Sequence, residues 1–159
     1  MRAITPGPVR EQYSDLYERL HAATRARGQV GEAATSAFML LQAHYRKDME
    51  FALPPLKYLS TLARGNVTSE ISRLLTLSDK LKRELPHLYT EIDRITSALQ
   101  RLADVAATEQ KPEHVELARR LIHFLDLERD ILYPASILVG EYIQQEIALE
   151  GRRLVQAQA

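Results

Sequence analysis

The apolar residues of this chain recur at spacings of three and four along four stretches, separated by glycine or proline. Residues at this spacing share one face of an α-helix, so each stretch predicts an amphipathic helix. The first predicted helix spans about residues 8–27, because Pro8 suits an opening turn and Gly28 suits an end. Its apolar positions are Val9, Tyr13, Leu16, Leu20 and Ala23.

The second predicted helix spans about residues 32–63 and contains two consecutive prolines. Its apolar positions are Phe38, Leu41, Tyr45, Ala52, Leu56, Leu59 and Leu62. Proline lacks a backbone N–H and clashes with the preceding turn, so Pro54 and Pro55 should kink this helix or end it early.

The third predicted helix, about residues 67–107, follows Asn66, which is a suitable cap. Its apolar face is the most regular in the chain: Ile71, Leu74, Ser78, Leu81, Leu85, Leu88, Ile92, Ile95, Leu99 and Leu102. This period is typical of helices packed in a bundle. Pro86 predicts a kink or a break at Leu85, so the sequence leaves open whether this stretch is one helix or two.

The fourth predicted helix spans about residues 112–150. Its apolar positions are Leu117, Leu121, Phe124, Ile131, Ala135, Leu138 and Tyr142. Four amphipathic helices joined by short turns must cover one another's apolar faces, and neighbours in sequence then run antiparallel. We therefore predict an all-α fold, an antiparallel up-and-down four-helix bundle, with residues 1–159 as a single domain.

Composition narrows the range of functions. The chain has no cysteine, which excludes disulfides, thiolate metal sites and a cysteine nucleophile. Lysine plus arginine and aspartate plus glutamate number 21 each, so no net field attracts nucleic acid. No stretch reaches the roughly 18 apolar residues of a membrane-spanning helix. We expect a cytoplasmic protein without nucleic-acid or membrane partners.

Two acids interrupt the apolar faces, Asp48 in the second predicted helix and Glu128 in the fourth. A buried carboxylate is unfavourable unless it is paired, protonated or bound to a cation. His44 precedes Asp48 by one helical turn, so both side chains can reach a single ion. These three residues are candidate metal ligands. Pairing of the acids with basic residues of neighbouring helices, such as Glu128 with Arg94, is the alternative.

Two further histidines are secondary candidates for ligands. His87 lies beside the third apolar face, and an ideal helix points it away from the core, although a kink at Pro86 could rotate it inward. His123 lies at the edge of the fourth apolar face. Histidines in such positions are more often surface or flanking residues than ligands.

The segments AHYRKDMEFALPPL and IHFLDLERDILYPAS look like two copies of one unit. Asp48 and Glu128 each lie six residues before a proline, Pro54 and Pro134 respectively. This pattern resembles the hemerythrin-like, or HHE cation-binding, family, and the resemblance spans about residues 8–142. It implies a four-helix bundle whose second and fourth helices carry His-x3-Glu. It also implies a non-haem di-iron centre completed by histidines of the first and third helices.

Carried over residue by residue, His44 with Asp48 is the first pair, Glu128 is the acid of the second pair, and His87 is the third-helix histidine. The departures are Phe124 at the fourth-helix histidine, Tyr13 or Gln12 at the first-helix histidine, and aspartate instead of glutamate at 48. The resemblance therefore implies a reduced site, or a site that has been lost.

A reduced site of this kind suits one ferrous, manganous or zinc ion, or an incomplete di-iron centre. Its ligands would be His44, Asp48 and Glu128, joined by His87 or His123. The function expected is metal binding or sensing rather than catalysis, since no nucleophile or phosphate-binding motif occurs. The alternative is a metal-free helical module that regulates or binds a protein partner or forms a homodimer.

Overall fold

The computed structural model describes residues 5–67 and 71–159, and every regular element in these ranges is helical. The α-helices are α1 Gly7–Ala23, α2 Gln29–Lys47, α3 Leu59–Ala63, α4 Ser72–Thr108, α5 Pro112–Leu127 and α6 Tyr133–Ala157. A π-helical turn, Asp48–Ala52, and a 3₁₀ turn, Pro54–Tyr58, lead from α2 to α3. A second π-helical turn, Glu128–Leu132, joins α5 to α6. The predicted all-α class is confirmed. Counted with the turns that join them, the helices form four segments: α1, α2 with α3, α4, and α5 with α6.

The helix boundaries differ from the predicted ones mainly at the connections. Helix α1 ends at Ala23 rather than near residue 27, and Gly28 has a φ of +80°, a conformation that favours glycine. This turn lets α2 begin at Gln29, three residues earlier than predicted. Helix α4 begins at Ser72, against a predicted start at about residue 67, and residues 68–70 lie outside the described part of the chain.

The prolines of the second and third segments have different effects. At Pro54 the chain leaves the helix, bending at Leu53 between the π-helical and 3₁₀ turns, so the predicted early end is confirmed. Pro86 is exposed, and α4 runs through it without a break. Apolar residues on both sides of Pro86 lie in the core, and their burial offsets the single lost backbone hydrogen bond.

Helix α4 lies against α2, α5 and α6, and it carries the longest stretch of the core. The predicted apolar faces of α1 and α4 are confirmed, apart from partly buried residues at Val9 and Leu85. Within the ranges 5–67 and 71–159, none of the helices is both long enough and apolar enough to cross a membrane.

The predicted apolar face of the fourth segment is wrong beyond Glu128. Ile131 and Leu138 are 55% and 65% exposed, and the residues buried instead are Tyr133, Ser136, Val139, Gly140 and Ile143. A π-helical turn contains one residue more than an α-helical turn, and here the Tyr133 N–H donates to the Glu128 carbonyl five residues earlier. The extra residue rotates α6, so that Tyr133 faces the interior.

At Gly140, α6 lies close against α4. A Cβ atom added to Gly140 would lie 2.3 Å from Ser78 Oγ and 2.5 Å from Ser78 Cβ. Ser78 itself is buried and donates to the Ser136 carbonyl at 2.9 Å. This contact leaves no room for a side chain at 140.

Gly140→Ala should lower the free energy of unfolding by about 1–3 kcal/mol, because overpacking forces the two helices apart. Gly151→Ala is the matched control, since a Cβ there meets nothing within 4 Å. Alanine at that exposed helical position should instead raise the free energy of unfolding by up to about 1 kcal/mol. Urea denaturation measures both values, and equal effects would contradict the close approach.

Candidate metal centre

The three predicted ligands meet in the core. His44 belongs to α2, Asp48 begins the first π-helical turn, and Glu128 begins the second. All three side chains are fully buried. His44 Nε2 lies 3.1 Å from Glu128 Oε2 and 3.4 Å from Asp48 Oδ2, and one ligand atom of each residue lies within 4.8 Å of the others. Such N and O donors suit ferrous, manganous and zinc ions.

Two buried tyrosines complete the cluster. Tyr13 donates to Asp48 Oδ2 at 2.7 Å, and Tyr133 donates to Asp48 Oδ1 at 2.5 Å. Burial, and next the negative charge of Asp48, raise the pKa of both phenols well above the ordinary value. Both side chains are therefore neutral donors in the metal-free protein, and Asp48 accepts through both of its oxygens.

Glu91 of α4 fixes the orientation of the His44 ring. Its Oε2 lies 2.9 Å from His44 Nδ1, and its Oε1 forms an ion pair with Lys47. The hydrogen bond to His44 is the main cause that lowers the pKa of Glu91 to about 2, so Glu91 is an acceptor at neutral pH. We assign the Nδ1 proton to this bond. The lone pair of Nε2 then faces Asp48 and Glu128, as in histidines that bind metals through one nitrogen and a carboxylate through the other.

Neither buried acid has a lysine or arginine partner in the part of the chain that the structure describes. Among the described residues, Asp48 and Glu128 lie within ion-pair distance of His44 alone, and Arg94 is exposed. Glu128 Oε1 is buried and has no hydrogen-bond partner among the described residues. Burial raises the pKa of Glu128 to about 8, and burial together with the charge of Glu128 raises the pKa of Asp48. The predicted alternative, a pairing of Glu128 with Arg94, is wrong.

The two secondary histidines lie elsewhere. His87 and His123 are exposed, and neither belongs to the buried group. Because α4 continues through Pro86, nothing rotates His87 inward, and the residue that α4 contributes is Glu91, one helical turn later. Phe124, at the position where the family resemblance expects a histidine, is buried against Tyr13 with ring centroids 4.4 Å apart.

The arrangement therefore offers one imidazole nitrogen and two carboxyl groups, with phenol hydroxyls beside them and one carboxyl oxygen that no described residue pairs with. A cation would compensate both carboxylates and give Glu128 Oε1 a partner, so the residues fit a metal ion. The sequence does not single out Glu91 or Tyr133, because the packing of α4 against α2 brings Glu91 to His44 and a π-helical turn brings Tyr133 inward. No protein-family model, curated protein sequence or solved structure matches this chain.

Proposed function

We propose that this chain is a hemerythrin-like, antiparallel four-helix bundle that binds a single metal ion through His44, Asp48 and Glu128. The ion is ferrous, manganous or zinc in the first instance, and its role is binding or sensing rather than catalysis. One described imidazole cannot supply the several nitrogen ligands of a di-iron centre, which favours a mononuclear site.

The observation that carries this proposal is the convergence of two buried acids on His44 Nε2, without a lysine or arginine partner among the described residues. Burying a carboxylate costs several kcal/mol unless a positive charge or donors compensate it. Tyrosine donors satisfy Asp48, but no group in the described part of the chain donates to Glu128 Oε1. A divalent cation bound by both acids would remove this cost, and Glu91 already holds the imidazole with its lone pair toward the same point.

Elemental mass spectrometry after chelator treatment and anaerobic loading tests the proposal. Wild-type protein should retain about one equivalent of ferrous iron or zinc after desalting, because the site has one set of ligands. His44→Ala and Glu128→Gln should lose it, since each removes a ligand.

The matched controls are His87→Ala and His123→Ala, which remove exposed histidines outside the group and should keep the metal. Circular dichroism confirms that each variant folds. Wild-type protein without metal, or equal loss in the two control variants, would contradict the proposed site.

A second candidate function is a metal-free interaction module. An apolar surface groove between α3 and α6 is lined by Leu59, Leu62, Ala63, Leu138, Val139 and Tyr142. Leu138 is 65% exposed there, and apolar grooves of this kind bind the apolar faces of partner helices. Absence of metal from the wild-type protein would favour this candidate.

A further inference from the structure

Tyr133 contacts all three candidate ligands. Its hydroxyl oxygen lies 2.5 Å from Asp48 Oδ1, 3.0 Å from His44 Nε2 and 3.5 Å from Glu128 Oε2. The other buried tyrosine, Tyr13, hydrogen-bonds Asp48 and, within the described part of the chain, no atom of His44. An ion held by the three residues would therefore have the Tyr133 oxygen within its immediate surroundings.

The Tyr133 ring has little freedom to withdraw. It is fully buried, it is the first residue of α6, and its backbone N–H is fixed by the π-helical turn that begins at Glu128. Moving the phenol oxygen away from a bound ion would require repacking of a close-packed core. The oxygen is thus placed to bind the ion.

We propose that Tyr133 is a fourth ligand that binds ferric iron through its phenolate oxygen. This inference rests on the proposed metal site. On binding, the Tyr133 phenol would lose its proton, and Glu128 and Asp48 would lose any proton that their raised pKa values retain. These protons would pass to solvent, and the Tyr133 oxygen would bind the iron without a change in the oxidation state of the iron. Two carboxylates and one phenolate carry three negative charges, which balance one ferric ion in the buried site.

A divalent ion needs only the two carboxylates for the same balance, so Tyr133 then stays a neutral phenol. The ion and its ligands therefore have no net charge in either of two forms. One form holds a divalent ion beside the neutral Tyr133 phenol, and the other holds a trivalent ion bound by the Tyr133 phenolate. Hard oxygen ligands of this kind favour ferric iron over softer metals.

Ferric nitrilotriacetate and zinc sulfate, added separately to metal-free protein, test this inference. Ferric loading of the wild type should give an intense visible phenolate-to-iron charge-transfer band and phenolate vibrations in resonance Raman spectra. Tyr133→Phe should lose the band but still bind zinc. Tyr13→Phe, the matched control, should keep the band, since Tyr13 has no described hydrogen bond to His44.

The possible failures are distinguishable. Wild-type protein that binds neither zinc nor ferric iron contradicts the proposed metal site itself. Protein that binds zinc but gives no phenolate band contradicts only the role of Tyr133. If Tyr133→Phe does not fold, the Tyr13→Phe spectrum decides, because loss of the band in that variant would assign the phenolate to Tyr13 and overturn the inference.

Discussion

Glu128→Gln should make the metal-free protein more stable than wild type at about pH 8.5, although it removes a proposed metal ligand. The reason is the environment of this carboxyl group. Burial raises its pKa from 4.5 to about 8, and Oε1 has no hydrogen-bond partner within residues 5–67 and 71–159. A glutamine of the same shape has no charge to bury.

The dependence on pH has a definite sign. Below pH 4.5 Glu128 is protonated in both the folded and the unfolded chain, and its contribution to stability is complete. Between pH 4.5 and about 8 the unfolded chain releases this proton while the folded protein retains it. Stability should therefore fall as pH rises through this window, by at most about 1.4 kcal/mol per pH unit from this one group. Asp48, whose pKa is also raised, changes stability in the same direction.

Chemical denaturation of chelator-treated protein at about pH 5, 7 and 8.5 measures the effect. The Glu128→Gln curve should be flatter than the wild-type curve, and the two should differ most at the highest pH. Asp126→Asn is the matched control, because Asp126 is exposed two residues earlier in the same segment. A wild-type slope that persists unchanged in Glu128→Gln would show that Glu128 is not the titrating group.

The repeated acid-to-proline spacing was the most informative feature of the sequence. Asp48 and Glu128 each lie six residues before a proline, and in the structure each of them begins a π-helical turn. The two interior acids could be predicted because the α-helical period holds along each helix up to the residue where the π-helical turn begins. Apolar periodicity located α1 and α4 for the same reason, since neither contains a π-helical turn.

The buried face beyond the second π-helical turn could not be predicted from a constant α-helical period. The extra residue shifts the buried face of α6, exposes Ile131 and buries Tyr133. The contact of Glu91 with His44 could not be predicted for another reason. Glu91 lies at the border of the α4 apolar face, and only the packing of α4 against α2 brings it to His44. The family resemblance implies a third-helix histidine and therefore pointed to His87 instead.

Glu91→Gln should weaken metal binding by about 10–100-fold, the usual effect of changing the outer partner of a ligating histidine. The glutamine carbonyl can still accept the His44 Nδ1 proton, so the ring keeps a hydrogen bond. The glutamine, however, lacks the negative charge that makes His44 Nε2 a stronger electron-pair donor to a cation. The burial and contacts of Asp48 and Glu128 do not depend on Glu91, so the number of bound ions should not change.

Competition with a zinc chelator of known affinity measures this loss, and thermal unfolding of the metal-free variant shows whether the fold is affected. Lys47→Met is the matched control, because Lys47 forms an ion pair with Glu91 and has no described hydrogen bond to His44. It should change zinc affinity far less than Glu91→Gln. Equal losses in the two variants would mean that the Lys47–Glu91 ion pair positions α2 against α4. Glu91 would then influence the metal through helix placement, not through the charge at Nδ1.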